Sequence, residues 1–268
     1  MLTMKNNKMR ELLNKNLPTI GTRIWSTWPF FTEAIGSTGN YDYIEFVAEY
    51  APFSQKDLEV LAMAAELHNM GSMIKIDFQN RGYIAQKAVA SGFQSVLFTD
   101  CRTAEETKEC VRLLTPETEP DHGGFGYPMR RFIGFQPRID QTAHAQRLRE
   151  VVKVFMMEKK EAINNIEAIC DTPGVDMVQF GPSDWCLSCG WDRKDKANEF
   201  KEAERKMIKA ALKYGVHPRC EIPSPEAAQY YIDLGVKHFC LGDQFAKLMG
   251  IWSTEGAEMR KITESLAK

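Results

Sequence analysis

The sequence predicts an α/β protein built as a single (β/α)8 TIM barrel, and three observations point there. Eight short β-rich runs recur along the chain, and stretches with helical spacing of apolar residues separate most of them. The length of 268 residues is close to the roughly 250 that such a barrel occupies. That length would also accommodate two small domains, but eight strand and helix units favour one closed barrel over an open sheet.

The runs, in order, are Ile20–Ser26, Tyr43–Ala48, Ser72–Asp77, Ser95–Thr99, Val151–Met157, Asp176–Phe180, Val216–Cys220 and His238–Leu241. Leu58, Leu61, Ala62 and Ala65 repeat at helical spacing before the third run, and Ala227, Ala228, Tyr231 and Ile232 do so before the last. Ser91-Gly92, Pro173-Gly174, Tyr214-Gly215 and Leu234-Gly235 stand where a helix must stop just before a strand begins. The expected organisation is one barrel over residues 1–268, with an extended loop at about 115–146 and a C-terminal helix.

Thr115–Gln146 breaks the rhythm, being rich in Pro, Gly, His and Arg and poor in apolar periodicity. Following the fourth strand, it is expected beside the barrel mouth, with Asp121-His122-Gly123-Gly124-Phe125-Gly126 as a plain flexible loop or as a cover over a ligand. Its glycines lack the order of a dinucleotide or P-loop fingerprint.

Composition narrows the partners. With 44% hydrophobic residues, 26% charged residues and a net charge of -2, nothing electrostatic favours nucleic acid or a membrane surface, so a small molecule is expected. No apolar stretch approaches a membrane span, and Met1–Asn16 is polar and basic without a signal-like core, which predicts a cytoplasmic protein. Seven cysteines scattered through strands and helices fit reduced thiols. Cys186-Leu187-Ser188-Cys189 is a lone C-x-x-C, weak as a zinc or redox signal.

Barrel enzymes place their working groups at the C-terminal ends of strands. Here those ends carry Arg23, Glu49 with Tyr50, Lys75 with Asp77, Asp100, Glu158, Asp184, Glu221 and Asp243, an acidic ring with two cations. Glu158 closes the fifth run and Asp184 follows the sixth, in Gly181-Pro182-Ser183-Asp184. On neighbouring parallel strands the two carboxylates would share one edge, where Mg2+ or Mn2+ could bridge them and an α-keto acid could chelate the ion. Taken singly, each acid also reads as a helix cap or turn residue. Lys75, inside the run Met73-Ile74-Lys75-Ile76, needs a partner if buried and is placed to hold a developing enolate oxygen.

These residues resemble the HpcH/HpaI aldolase and citrate lyase β-subunit family over roughly residues 20 to 250. The likeness is carried by Tyr41–Pro52, by Ala88–Phe93 with Ala104–Thr107, and by Glu158–Ala162. It continues in Pro173-Gly174-Val175-Asp176 running into Gly181-Pro182-Ser183-Asp184, then Tyr231–Gly235 and Leu241-Gly242-Asp243. The resemblance implies a (β/α)8 fold, a homo-oligomer (a hexamer or trimer, with exchange of the C-terminal helix in the usual hexamer) and enolate chemistry on a divalent metal. It implies Glu158 and Asp184 as metal ligands, the backbone of Gly181, Pro182 and Ser183 as a keto-acid cradle, and Glu49 as the glutamate near the metal waters.

The departures bear on activity. Tyr50 stands where the aldolases carry a catalytic histidine, Val47 where they carry its aspartate, Lys75 where they carry the enolate-stabilising arginine, and Arg23 where an apolar or aromatic residue is usual. Tyr50 would donate a proton readily but accept one poorly near neutrality. The substitute base is then water on the metal or His122, unless the step needs no base. Arg23 and Lys75 could hold an extra carboxylate or phosphate. The reading is a metal-dependent carbon–carbon lyase, an aldolase acting with pyruvate, with Lys75, Tyr50 and Glu49 catalytic and Arg23 binding substrate. The alternatives are an oxaloacetate-type decarboxylase, a phosphoenolpyruvate- or oxaloacetate-using relative, and a non-catalytic metal- and ligand-binding paralogue.

Overall fold

A computed structural model describes residues 6–135 and 139–267. Its strands are β1 (Thr19–Ile24), β2 (Tyr43–Val47), β3 (Gly71–Ile76), β4 (Ser95–Phe98), β5 (Val152–Met157), β6 (Met177–Phe180), β7 (His217–Ile222) and β8 (His238–Asp243). All eight pair in parallel in sequence order, and β8 closes on β1. The (β/α)8 barrel is therefore present, and each strand overlaps the run that predicts it.

The helices are α1 (Lys8–Asn14), α2 (Pro29–Ser37), α3 (Gln55–Leu67), α4 (Arg81–Ser91), α5 (Ala104–Leu114), α6 (Gln141–Arg149), α7 (Lys160–Asn164), α8 (Ile166–Cys170), α9 (Pro182–Ser188), α10 (Ala197–Lys213), α11 (Ala228–Asp233) and α12 (Gln244–Ser265). The spacing in α3 works as read: Leu58, Leu61, Ala62 and Ala65 are all buried, and Ser54 and Asp57 form a capping box at its start. In α11 only Tyr231 is buried. That helix is six residues long and follows a 3-10 turn at Pro225–Ala227, which rotates Ile232 to solvent.

Strand parity divides the core into two layers. Outward-facing Ile44, Phe46, Ile74, Val96 and Phe155 pack under the helices, whereas Tyr43, Met73, Leu97, Val152, Val154, Met156 and Met177 fill the lumen. Met9 and Leu13 of α1 close the lumen at its N-terminal end. Arg10 locks that plug by a bidentate ion pair to Asp176, both bonds 2.7 Å.

The long segment corrects an expectation. Helix α5 intervenes after β4, so the chain has already returned to the N-terminal end of the strands when it enters the 115–146 stretch. Its described residues, 115–135 and 139–146, therefore lie opposite the mouth, and none of them lines the mouth cavity. Gly123 serves backbone packing, since a Cβ there would lie 2.0 Å from the Thr115 carbonyl oxygen. His144 of α6 is buried among Phe125, Tyr127 and Phe132, its Nε2 2.8 Å from the Gly126 carbonyl. The seven cysteines are unpaired thiols. No described helix is long and apolar enough to cross a membrane.

One helix touches the barrel only through its first turns, against β1 and β8. α12 has no buried residue, and it exposes Phe245, Met249, Ile251, Trp252, Met259 and Ile262.

Candidate active site

The C-terminal end of the barrel holds a cavity of about 750 Å³. Arg23, Lys75, Glu158, Gly181, Pro182, Ser183 and Asp184 all line it, so the structure brings together seven of the nine residues singled out in the sequence. Glu49 and Tyr50 stand beside Lys75 at the end of β2.

Glu158 follows β5 directly and is almost fully buried. Its Oε1 accepts a hydrogen bond from the Asp100 N–H at 3.1 Å, delivered by a left-handed turn at Asp100 with φ 61°. Asp100 is tied in turn to Lys159 at 2.6 Å. Burial pushes the Glu158 carboxyl up to about 7; Lys75 and the Asp100 N–H oppose this, and the nearby charges of Glu49 and Asp100 add to it. Opposite, Gly181 leaves room for this carboxylate, because a Cβ there would sit 2.9 Å from Glu158 Oε2. Asp184 lies in the first turn of α9, and neither acid caps a helix: the N-cap positions of α7 and α9 are Lys159 and Gly181.

Lys75 is the cation nearest this pair on β3, with its Nζ 2.5 Å from Glu49 Oε2 and 5.5 Å from the Tyr50 ring centre. Burial alone would lower its pKa, but the carboxylates of Glu158 and Glu49 overcome this and raise it, so the amine stays an ammonium. Tyr50 is 62% exposed at the rim. Partial burial, Glu49 and Asp184 push its phenol above the ordinary value, which makes it a proton donor and not a base near neutrality. Val47 is buried at the end of β2, in register with Lys75 on β3.

Below the mouth the lumen carries an ionic network that the sequence reading missed. Arg219 of β7 is fully buried, and it reaches across to β2, where its guanidinium holds the Glu45 carboxylate and donates from Nε to the Tyr43 hydroxyl at 2.6 Å. It also donates to Gln179 on β6. Glu45 accepts a second bond from Arg23 Nε at 2.9 Å, and both Arg23 Nη groups donate to Glu221, at 2.9 and 2.6 Å. Burial would raise the Glu45 pKa, yet Arg219, Arg23 and Lys75 hold it down at about 2. The available signal was parity: Tyr43, Glu45 and Val47, like His217, Arg219 and Glu221, alternate toward one face, so polar residues among them must meet in the lumen.

The cavity wall carries five cations (Arg23, Lys75, Arg193, Lys201, Lys247) and five carboxylates (Glu158, Asp184, Glu204, Glu221, Asp243). Within that wall, a buried carboxyl pushed up to about 7 and the all-oxygen donors of Glu158 and Asp184 fit a hard divalent cation. Among the described residues no three His, Cys, Asp or Glu groups form a ready cage, so two carboxylates would leave most coordination positions to water and substrate.

The model of the HpcH/HpaI aldolase/citrate lyase family matches residues 36–220. The chain belongs to this family. Among relatives, a 5-keto-4-deoxy-D-glucarate aldolase of Klebsiella pneumoniae is 25% identical over 236 residues, covering 88% of this chain and 90% of that protein. A hydroxypyruvate/pyruvate aldolase of Paraburkholderia phytofirmans is 22% identical over 241 residues, with the same two coverages, 88% and 90%. An HpcH/HpaI aldolase/citrate lyase family protein from Burkholderia cenocepacia superposes with a TM-score of 0.85 at 21% identity, covering 95% of this chain and 100% of that one, which supports the fold. Within this lyase family, the position that the resemblance assigns to a catalytic histidine is here the exposed Tyr50, and its aspartate is the buried Val47. His122, the candidate substitute base, lies in the long segment at the opposite end of the barrel, away from the cavity.

Proposed function

We propose that this chain is a divalent-metal-dependent carbon–carbon lyase acting on an α-keto acid through its enolate, in an aldol cleavage or condensation with pyruvate. The observation that carries the reading is the Lys75 ammonium, fixed by Glu49 at 2.5 Å, in the same cavity as Glu158 and Asp184. Glu158 and Asp184 would hold Mg2+ or Mn2+, which when bound supplies Lewis acidity toward the keto group. Lys75 then donates to the oxygen on which negative charge develops. Glu49 orients that ammonium, and the backbone of Gly181, Pro182 and Ser183 receives the keto-acid carboxylate. Tyr50, held in its protonated form, donates to the carbonyl oxygen of the electrophile.

One observation favours a second reading. No histidine is among the cavity-lining residues, and Tyr50 is a donor only; decarboxylation of an oxaloacetate-type substrate needs no base and suits that set. The assembly belongs to the same proposal: the apolar face of α12 is the surface by which copies would associate as a hexamer or trimer in the cytoplasm.

The deciding experiment follows methyl-proton exchange of pyruvate in deuterated water with Mg2+ or Mn2+. Exchange that vanishes in Glu158→Ala and Asp184→Ala supports the reading. Exchange indifferent to both changes overturns the metal assignment, and absence of exchange in the wild-type protein with metal bound points to the decarboxylase or to a non-catalytic paralogue.

A further inference from the structure

The two oxygens of Glu158 are held unequally. Oε1 accepts the Asp100 N–H at 3.1 Å, whereas Oε2, on the side of Gly181, has no hydrogen-bond partner among the described residues. Which oxygen is left for a cation therefore depends on the turn that aims the Asp100 N–H. That turn is left-handed, with φ 61°, a conformation that few side chains other than Asn, Asp and His adopt.

An ion pair closes the turn. Lys159 Nζ meets Asp100 Oδ1 at 2.6 Å, with both side chains largely shielded from water. Lys159 follows Glu158 directly and stands at the N-cap of α7, so the pair joins the loop after β4 to the segment that carries the carboxylate. Both stretches are anchored elsewhere. Thr99 Oγ1 donates to the Ile76 carbonyl at 2.9 Å and the Arg102 N–H donates to Glu106 at 2.6 Å, while the Lys160 N–H donates to Ser188 Oγ at 2.9 Å and so ties this segment to α9, which bears Asp184. Asn165, at the other end of α7, adds a second tie to the loop through the Arg102 carbonyl at 2.9 Å. Losing the ion pair would free the turn without freeing the loop.

We propose that Asp100 and Lys159 are positioning residues for the metal ligand: their ion pair holds the left-handed turn that occupies Glu158 Oε1 and keeps Oε2 free for the cation. The inference rests on the reading of Glu158 and Asp184 as ligands of a divalent cation. Neither member of the pair lines the cavity. Lys159 engages the Asp100 carboxylate, so the turn delivers an N–H to Glu158 and not a third acid to the site.

The opposite charges of the pair make the role testable by sign. Acting only through their fields, loss of the Lys159 cation would tighten Mn2+ binding and loss of the Asp100 anion would weaken it. A clasp requires that both losses weaken it. The experiment is calorimetric titration of Mn2+ into the wild type, Lys159→Met, Asp100→Asn, the double variant and Lys159→Arg. Each of the first two changes is expected to lower the affinity about tenfold, the usual loss when a group that orients a metal ligand is removed, and the double variant no further. Lys159→Arg keeps the ion pair and is expected to keep wild-type affinity. Tighter binding in Lys159→Met overturns the proposal, as does additivity of the two losses. Hydrogen exchange at the Asp100 amide in chelator is a second readout that needs no metal. Protection should fall in Lys159→Met and in Glu158→Ala while the amides of β4 and β5 stay protected, and unchanged protection in Lys159→Met overturns the clasp even where Mn2+ binds. Faster exchange in that variant beside a wild type that binds no Mn2+ sinks the metal reading alone.

Discussion

Glu158 makes the metal-free protein sensitive to alkali. Its carboxyl is pushed from an ordinary 4.5 up to about 7 by burial, so the folded chain binds a proton more tightly than the unfolded one. The stability this confers is complete below the unfolded value and is lost as pH rises through about 7. A shift of that size corresponds to a loss of about 3 kcal/mol between pH 4.5 and 8. In a chain of this length that is roughly 5 to 10 °C in melting temperature. The measurement is urea unfolding in chelator at pH 5.5 and 8 for the wild type and Glu158→Gln. The neutral amide should remove most of the difference between the two pH values, and Mg2+ at pH 8 should restore the wild type while leaving the variant unmoved. An equal pH slope in both proteins would refute the reasoning, since the slope would then belong to other groups.

Other outcomes follow from the same geometry. Borohydride reduction in the presence of pyruvate should trap no adduct on Lys75, because its carboxylate neighbours keep the amine protonated; a mass-labelled Lys75 would mean a Schiff-base mechanism instead. Lys75→Ala should slow pyruvate exchange by about 10²- to 10³-fold, the usual loss when one donor to a developing oxyanion is removed, and a fall of under threefold would count against its role. Glu45→Leu should cost about 3 to 5 kcal/mol by leaving Arg219 buried without its carboxylate, measured by denaturant unfolding. Pairing it with Arg219→Met should recover a large part of that loss, and strict additivity of the two changes would contradict the network. Replacing Met249, Trp252 and Ile262 of α12 by Glu should lower the mass found by light scattering, and an unchanged mass would remove α12 from the assembly surface.

Local pattern carried most of the architecture. Buried parallel strands are short apolar runs, and Tyr43–Val47 or Met177–Phe180 have nothing else to become. Glu158 and Asp184 were legible because position after a strand is a property of chain order. The long segment was misread because the face it occupies depends on whether a helix intervenes. α5 does intervene, with Thr103 capping the Glu106 N–H and Thr107, Cys110 and Leu114 facing inward. Arg219 and Glu45 escaped notice for a different reason. Glu45 is the lone charge of β2 and Arg219 shares β7 with Glu221, which pairs with Arg23; only closure of the barrel brings β2 and β7, far apart in sequence, across the lumen to each other.

The mixed lining of the mouth has a consequence for orientation. Met156 and Phe180 reach the cavity from β5 and β6 just before Glu158 and Asp184, and Arg23 and Glu221 reach it from β1 and β7. Hydrocarbon and charge therefore alternate around the rim. A charged group turned toward Met156 or Phe180 forgoes its pairing at a cost, so the ring of strand ends sorts the ends of whatever it holds.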